Sequence, residues 1–199
     1  MGFSVILDLL GSTIVGSILM LTLFRVNGSA VENTYVGNGE LTAQENTTTI
    51  VHILESDLRK IGYCADWQKI PNPSAAILYA DSSSIKYLTD VDNDGNVDSV
   101  YYYLGPTSEL SSTPNPRDRF LYRVVNNEIP NEANLGITNF QIHYFDDSGN
   151  ELSLPVANTG EIYTMRIDLC VEDVSAYDQK YSSVFWRQIK LAAKNLRNR

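Results

Sequence analysis

Between Asp90 and Asp98 the chain reads D-V-D-N-D-G-N-V-D, with carboxylates at Asp90, Asp92, Asp94 and Asp98 around Gly95. Hard divalent cations take several oxygen ligands around a tight turn, and glycine at the sixth place lets the backbone make that turn. In this pattern Asp90, Asp92 and Asp94 supply side-chain oxygens, Asn96 its backbone carbonyl, and Asp98 a direct or water-bridged oxygen. Calcium is the expected ion. The twelfth place is Tyr101, where an EF-hand carries a bidentate glutamate, and both flanks read as strands rather than helices. The expectation is a calcium turn of EF-like type that fixes a hairpin. The plain alternative is a solvated Asp/Asn/Gly turn.

A hydrolytic metal site adds His or Glu ligands and keeps a coordination position open. Here all candidate ligands are local, and His52 and His143 lie in other segments without ligand-like spacing. The sequence carries no glycine-rich phosphate loop, nucleophile elbow or Cys/His nucleophile motif. The expected role is therefore structural, with no enzymatic activity and no small-molecule substrate.

The net charge of −9 would repel nucleic-acid phosphates, which argues against that partner class. Twelve tyrosines against two tryptophans and six phenylalanines suggest a β-rich body with half-exposed strands. Cys64 and Cys170 are the two cysteines. In an exported chain they are candidates for a disulfide, which over so long a loop would contribute about 4–5 kcal/mol in the chain-entropy model. Two separate buried thiols are the other reading.

These residues need elements to hold them. From Phe3 to Phe24 the chain is apolar apart from Asp8 and small hydroxyl residues, and Arg25 ends the run. As a helix, 22 such residues rise about 33 Å, enough to cross a bilayer. Gly11, Ser12, Gly16 and Ser17 would let other helices approach closely. Asp8 is costly in such a helix, and is either paired or held at headgroup level. Residues 1–25 thus form an apolar membrane or filament-core helix. The polar stretch after Arg25, with Gly28, Gly37 and Gly39, should break or loosen that helix.

Helical spacing returns with Leu41, Ile50, Ile53, Leu54, Leu58 and Ile61, and Gly62 follows as a stop. Residues 26–62 therefore read as a glycine-loosened neck and an amphipathic helix laid on a sheet, with His52 and Glu55 on its wetter face. Residues 63–199 read as a β-rich body. Its strands are expected at Ile85–Leu88, Val97–Leu104, Phe120–Val125, Ile137–Phe145 and Tyr163–Glu172, the last alternating apolar and polar. "DDSGN" and "ELSLP" suggest a hairpin after Phe145. Ser183–Leu191 makes a last strand before the basic tail "AAKNLRNR". The fold class is α+β: a long N-terminal apolar helix, an amphipathic helix, and an antiparallel sheet without a βαβ rhythm.

The order of these parts resembles a known family. "GFSVILDLLGSTIVGSILML" resembles the amino-terminal helix of type IV pilins and pseudopilins, which follows a Gly-Phe processing site. "ILESDLRKIGYC" resembles the end of the long helix in the minor pilin W and pseudopilin J group, and "DVDNDGNVDSVYYYL", "FLYRVV" and "ITNFQIHYFDDSGNEL" resemble that group's β body. The resemblance implies an inner-membrane precursor cut between Gly2 and Phe3, then packed into an extracellular filament by its apolar helix, against copies of itself or other pilins. The family's acidic residue usually stands fifth in the mature chain; here Leu7 holds that place and Asp8 follows. Asp8, Gly11 and Gly16 are the implied assembly residues. A minor tip or priming pseudopilin, or a membrane-anchored calcium-dependent adhesin using the tyrosine-rich surface, are the alternatives.

Overall fold

The computed structural model describes residues 2–126, 128–173 and 181–191. Its first element is a single helix, α1 (Gly2–Arg59), of 58 residues, about 87 Å long at the usual rise. The break expected after Arg25 is not there: the helix carries through Gly28, Gly37 and Gly39. Each glycine disfavours a helix by only about 1 kcal/mol, whereas each residue added to an existing helix gains a hydrogen bond. Gly39 also has a packing reason. It is buried, and a Cβ there would stand 2.5 Å from the Asp173 carboxylate.

The buried positions of α1 are Gly39, Ala43, Thr47, Ile50, Leu54 and Leu58, spaced by three or four along one stripe. Leu41 and Ile53, expected on that face, are 60% and 47% exposed. The upper part of the helix is seated through small side chains, so Gly, Ala and Thr take the places where the sequence pattern looked for leucine. His52 is exposed and Glu55 half-buried. The helix stops as expected at Gly62, whose φ is +74°.

Among the described residues seven strands follow: β1 (Ile77–Asp81), β2 (Ser84–Thr89), β3 (Asp98–Leu104), β4 (Arg119–Val125), β5 (Asn131–Phe145), β6 (Thr164–Glu172) and β7 (Ser183–Leu191). They form one sheet in sequence order, each strand antiparallel to the next. The β1 strand was not foreseen. The expected partner of β5, "ELSLP", is not a strand; Glu151 alone bridges Phe145, and β6 takes the pairing from Ile137 to Phe145. The expected basic tail lies outside the described residues.

One face of the sheet is covered by α1. Tyr87, Val100, Tyr102, Phe140, Ile142, Tyr144, Ile167 and Leu169 alternate toward it and form one core with Ile50, Leu54, Leu58 and Ile61. The cysteines are separated by this arrangement. Cys64 lies in the core, while Cys170 alternates with the core residues Leu169 and Val171 and so stands on the outer face of β6. No disulfide joins them. The sheet lies between the two side chains, which corrects the expected bridge.

Candidate metal centre and the exposed apolar helix

The acidic turn connects β2 to β3, so two paired strands fix both its ends. Asn93 and Gly95 take φ values of +63° and +80°, conformations that glycine adopts freely and asparagine tolerates. One oxygen each of Asp90, Asp92 and Asp98 lies within 4.8 Å of the others. Asp90 is fully buried. Its Oδ2 accepts hydrogen bonds from the backbone N–H groups of Gly95 (3.0 Å) and Ala65 (3.1 Å), whereas its Oδ1 is buried with no hydrogen-bond partner among the described residues.

Burial pushes the Asp90 carboxyl up, but the backbone N–H groups of Ala65, Gly95, Asn93 and Asp94 outweigh it and hold the group below the ordinary carboxylate range. A buried, ionised carboxylate with one unsatisfied oxygen is an arrangement that a cation completes. The donor set is all oxygen, which suits a hard ion.

Two expected ligands stand differently. Asp94 is turned to Asn96, accepting from its backbone N–H and its side-chain amide, both at 2.6 Å. Those bonds, helped by Lys69, lower its pKa. The Asn96 side chain in turn accepts from Lys69 Nζ at 2.7 Å. Asp98 accepts from Val91 N–H at 3.0 Å and Asn126 Nδ2 at 2.9 Å. Ala65 and Lys69 were not foreseen as neighbours of the turn. They come from the segment that leaves α1, and no spacing in the sequence announces that contact.

Neither histidine belongs to this carboxylate group. His52 is on the exposed side of α1, and His143 sits on β5, with Nδ1 2.5 Å from Glu151 and Nε2 3.7 Å from Asp168.

At the other end of the molecule, residues 2–31 of α1 are all exposed. The span is long and apolar enough to cross a membrane. Four of its hydroxyl groups are satisfied within the helix: Ser12 donates to Leu9 O, Thr13 to Leu10 O, Ser17 to Thr13 O and Thr22 to Ile18 O, at 2.7–2.9 Å. They therefore carry no unpaired donor into an apolar medium. Asp8 shares a helix face with Gly11, Ser12 and Gly16, three, four and eight residues on. A Cβ at Gly11 or Gly16 would meet nothing within 4 Å, which leaves room for another helix against that face. Gly2 and Phe3, the implied processing pair, stand at the exposed start of α1.

The outer face of the sheet carries an aromatic ladder. Tyr103 pairs with Tyr122 across β3 and β4, and their rings stack at 4.8 Å; Tyr101 stacks on Tyr103 at 4.9 Å. The sequence pointed to a tyrosine-rich surface, but only strand register brings these three rings together.

Comparison with protein-family models, with curated proteins and with solved structures finds no match for this chain. In form it is pilin-like: a long N-terminal apolar helix followed by an antiparallel sheet.

Proposed function

We propose that this chain is a structural subunit of an extracellular type IV pilus-like filament, closest in design to the minor pilin W and pseudopilin J group. The carrying observation is the division of α1. Its last third is buried against the sheet, while residues 2–31 are exposed, and no described residue covers their apolar run Phe3–Phe24. Such a surface needs lipid or other apolar helices around it. A bilayer serves before assembly, and the helices of neighbouring subunits, copies of this chain or other pilins, serve afterwards. The Asp8, Gly11 and Gly16 face is the seam on which those helices pack, after cleavage between Gly2 and Phe3.

The β2–β3 turn binds calcium in this reading, through Asp90, Asp92 and Asp98, with Asp94 and Asn96 closing the loop. Calcium here steadies the head and takes part in no reaction. The protein is not an enzyme.

A second reading, a membrane-anchored adhesin, is favoured by the ladder of Tyr101, Tyr103 and Tyr122 on the free face of the sheet. Shearing cells and imaging the released material by electron cryomicroscopy separates the two. Fibres built from this chain, with Phe3–Phe24 at their axis, support the filament subunit. Fibres of another chain that carry this one at an end make it a priming subunit. Retention in the membrane fraction without fibres favours the adhesin.

A further inference from the structure

The metal turn is bonded to the segment that leaves α1, residues 60–69. Thr89 Oγ1 donates to Lys60 O at 2.8 Å, Gly62 N–H to Leu88 O at 2.9 Å, and Asp90 N–H to Tyr63 O at 2.8 Å. Lys60 Nζ reaches Val91 O at 3.5 Å. Gly95 packs on Asp66, where an added Cβ would stand 3.7 Å from the Asp66 Cβ. Lys69 Nζ holds Asn96. The central contact is Asp90. One of its oxygens, Oδ2, is shared between Gly95 N–H inside the turn and, in the exit segment, Ala65 N–H and Cys64 Sγ, while Oδ1 is buried without a hydrogen-bond partner among the described residues.

We propose that the turn is a cation-operated latch on the end of α1. The inference rests on the calcium reading above. Calcium held by Asp90, Asp92 and Asp98 fixes the Asp90 carboxylate, and the fixed Oδ2 then holds Ala65 and with it residues 60–69. Without calcium the carboxylates of Asp90, Asp92, Asp94 and Asp98 repel one another within one short loop, relieved in part by Lys69 and Lys60 at its rim. The loop spreads and loosens the exit segment around Ala65 and Lys69, while Ile61 and Cys64 keep their places in the core. The core contacts of Leu54 and Leu58 remain, so the head stays folded while its attachment to the helix end loosens. A regular filament requires the same angle between helix and head in every subunit. The latch makes that angle depend on the calcium outside the cell.

The test uses the full-length protein in detergent micelles, with calcium binding measured by titration calorimetry and the exit segment followed by hydrogen exchange and mass spectrometry. The expected result is that calcium slows exchange of peptides covering residues 60–69 by about tenfold or more, while peptides from β6 change little. Ala65→Pro removes the N–H that Asp90 Oδ2 accepts. That variant should still bind calcium, but exchange over 60–69 should no longer respond to it. Should Ala65→Pro fail to fold, Lys69→Ala, which frees Asn96 and adds net negative charge to the rim, should widen the difference between the calcium and chelator states. Calcium binding with equal exchange over 60–69 in both states would overturn the latch and leave the calcium site standing. Absence of binding to the wild-type chain would overturn both.

Discussion

Asp57 Oδ2 on α1 lies 2.6 Å from Arg123 Nε on β4, and the same oxygen accepts from Tyr102 Oη at 2.7 Å. One carboxylate thus joins the helix to two adjacent strands. The ion pair is largely shielded, with side-chain exposures of 17% for Asp57 and 24% for Arg123, so removing one partner leaves the other poorly solvated. Asp57→Ala should destabilise the head by about 2–3 kcal/mol. Asp57→Asn, which keeps an acceptor for Tyr102, should cost less. A double-mutant cycle with Arg123→Ala, measured by chemical unfolding, checks that the two changes are not additive.

Tyr87, Tyr102 and Tyr144 are buried in the core, and burial is the largest cause raising each phenol pKa, with Tyr102 pushed further by Asp57. A group whose pKa is raised on folding stabilises the fold below its unfolded value and loses that contribution as pH climbs above it. The unfolded phenol titrates near about 10. Stability should therefore hold up to that pH and then fall steeply with added base. Absorbance should show most tyrosinates of these three forming together with unfolding, while exposed tyrosines titrate earlier.

Much of this arrangement is legible in the sequence, and apart from β1 and the unbroken run of α1 through its glycines the failures have a common cause. The apolar run ending at Arg25, the stop at Gly62, the alternation from Met165 to Val171 and the Asp90–Asp98 turn are local patterns. Local patterns survive because periodicity and turn chemistry act over a few residues. What was missed depends on approach distance and pairing between distant segments. Leu41 looked like a core residue, yet the sheet meets α1 at Ala43 and Gly39. "ELSLP" looked like a partner for β5, yet β6 offers a longer apolar alternation and takes the register. Ala65 and Lys69 reach the acidic turn through the path of the chain after Gly62, which no short motif encodes.

That contrast can be measured on α1 itself. Leu54 is 1% exposed and touches the core, while Leu41, thirteen residues earlier, is 60% exposed. Leu54→Ala should destabilise by about 2–5 kcal/mol through lost burial and the cavity left behind. Leu41→Ala should stay within about 0.5 kcal/mol of the wild type. If Leu41 packs against a neighbouring subunit, its loss should instead weaken fibres while leaving the melting of the isolated chain unchanged.

Asp118 lies immediately before β4. It is 1% exposed, and neither carboxylate oxygen has a hydrogen-bond partner among the described residues. The nearby Thr113 hydroxyl donates instead to the carbonyls of Leu110 and Asn115. Burial raises the Asp118 pKa and outweighs the lowering by the neighbouring Thr113 hydroxyl, and the negative charges of Glu172 and Asp173 push the same way as burial. With the folded pKa above the unfolded one, this group favours the fold in acid and costs stability as pH rises through its folded value. Asp118→Asn keeps the shape and removes the ionisation. At neutral pH it should raise the melting temperature, and the gain should shrink as the pH is lowered and the wild-type carboxyl takes up its proton. A substitution that destabilised the protein at neutral pH, with the loss shrinking in acid, would show instead that the charged carboxylate is held by a partner and belongs to the fold as an ion.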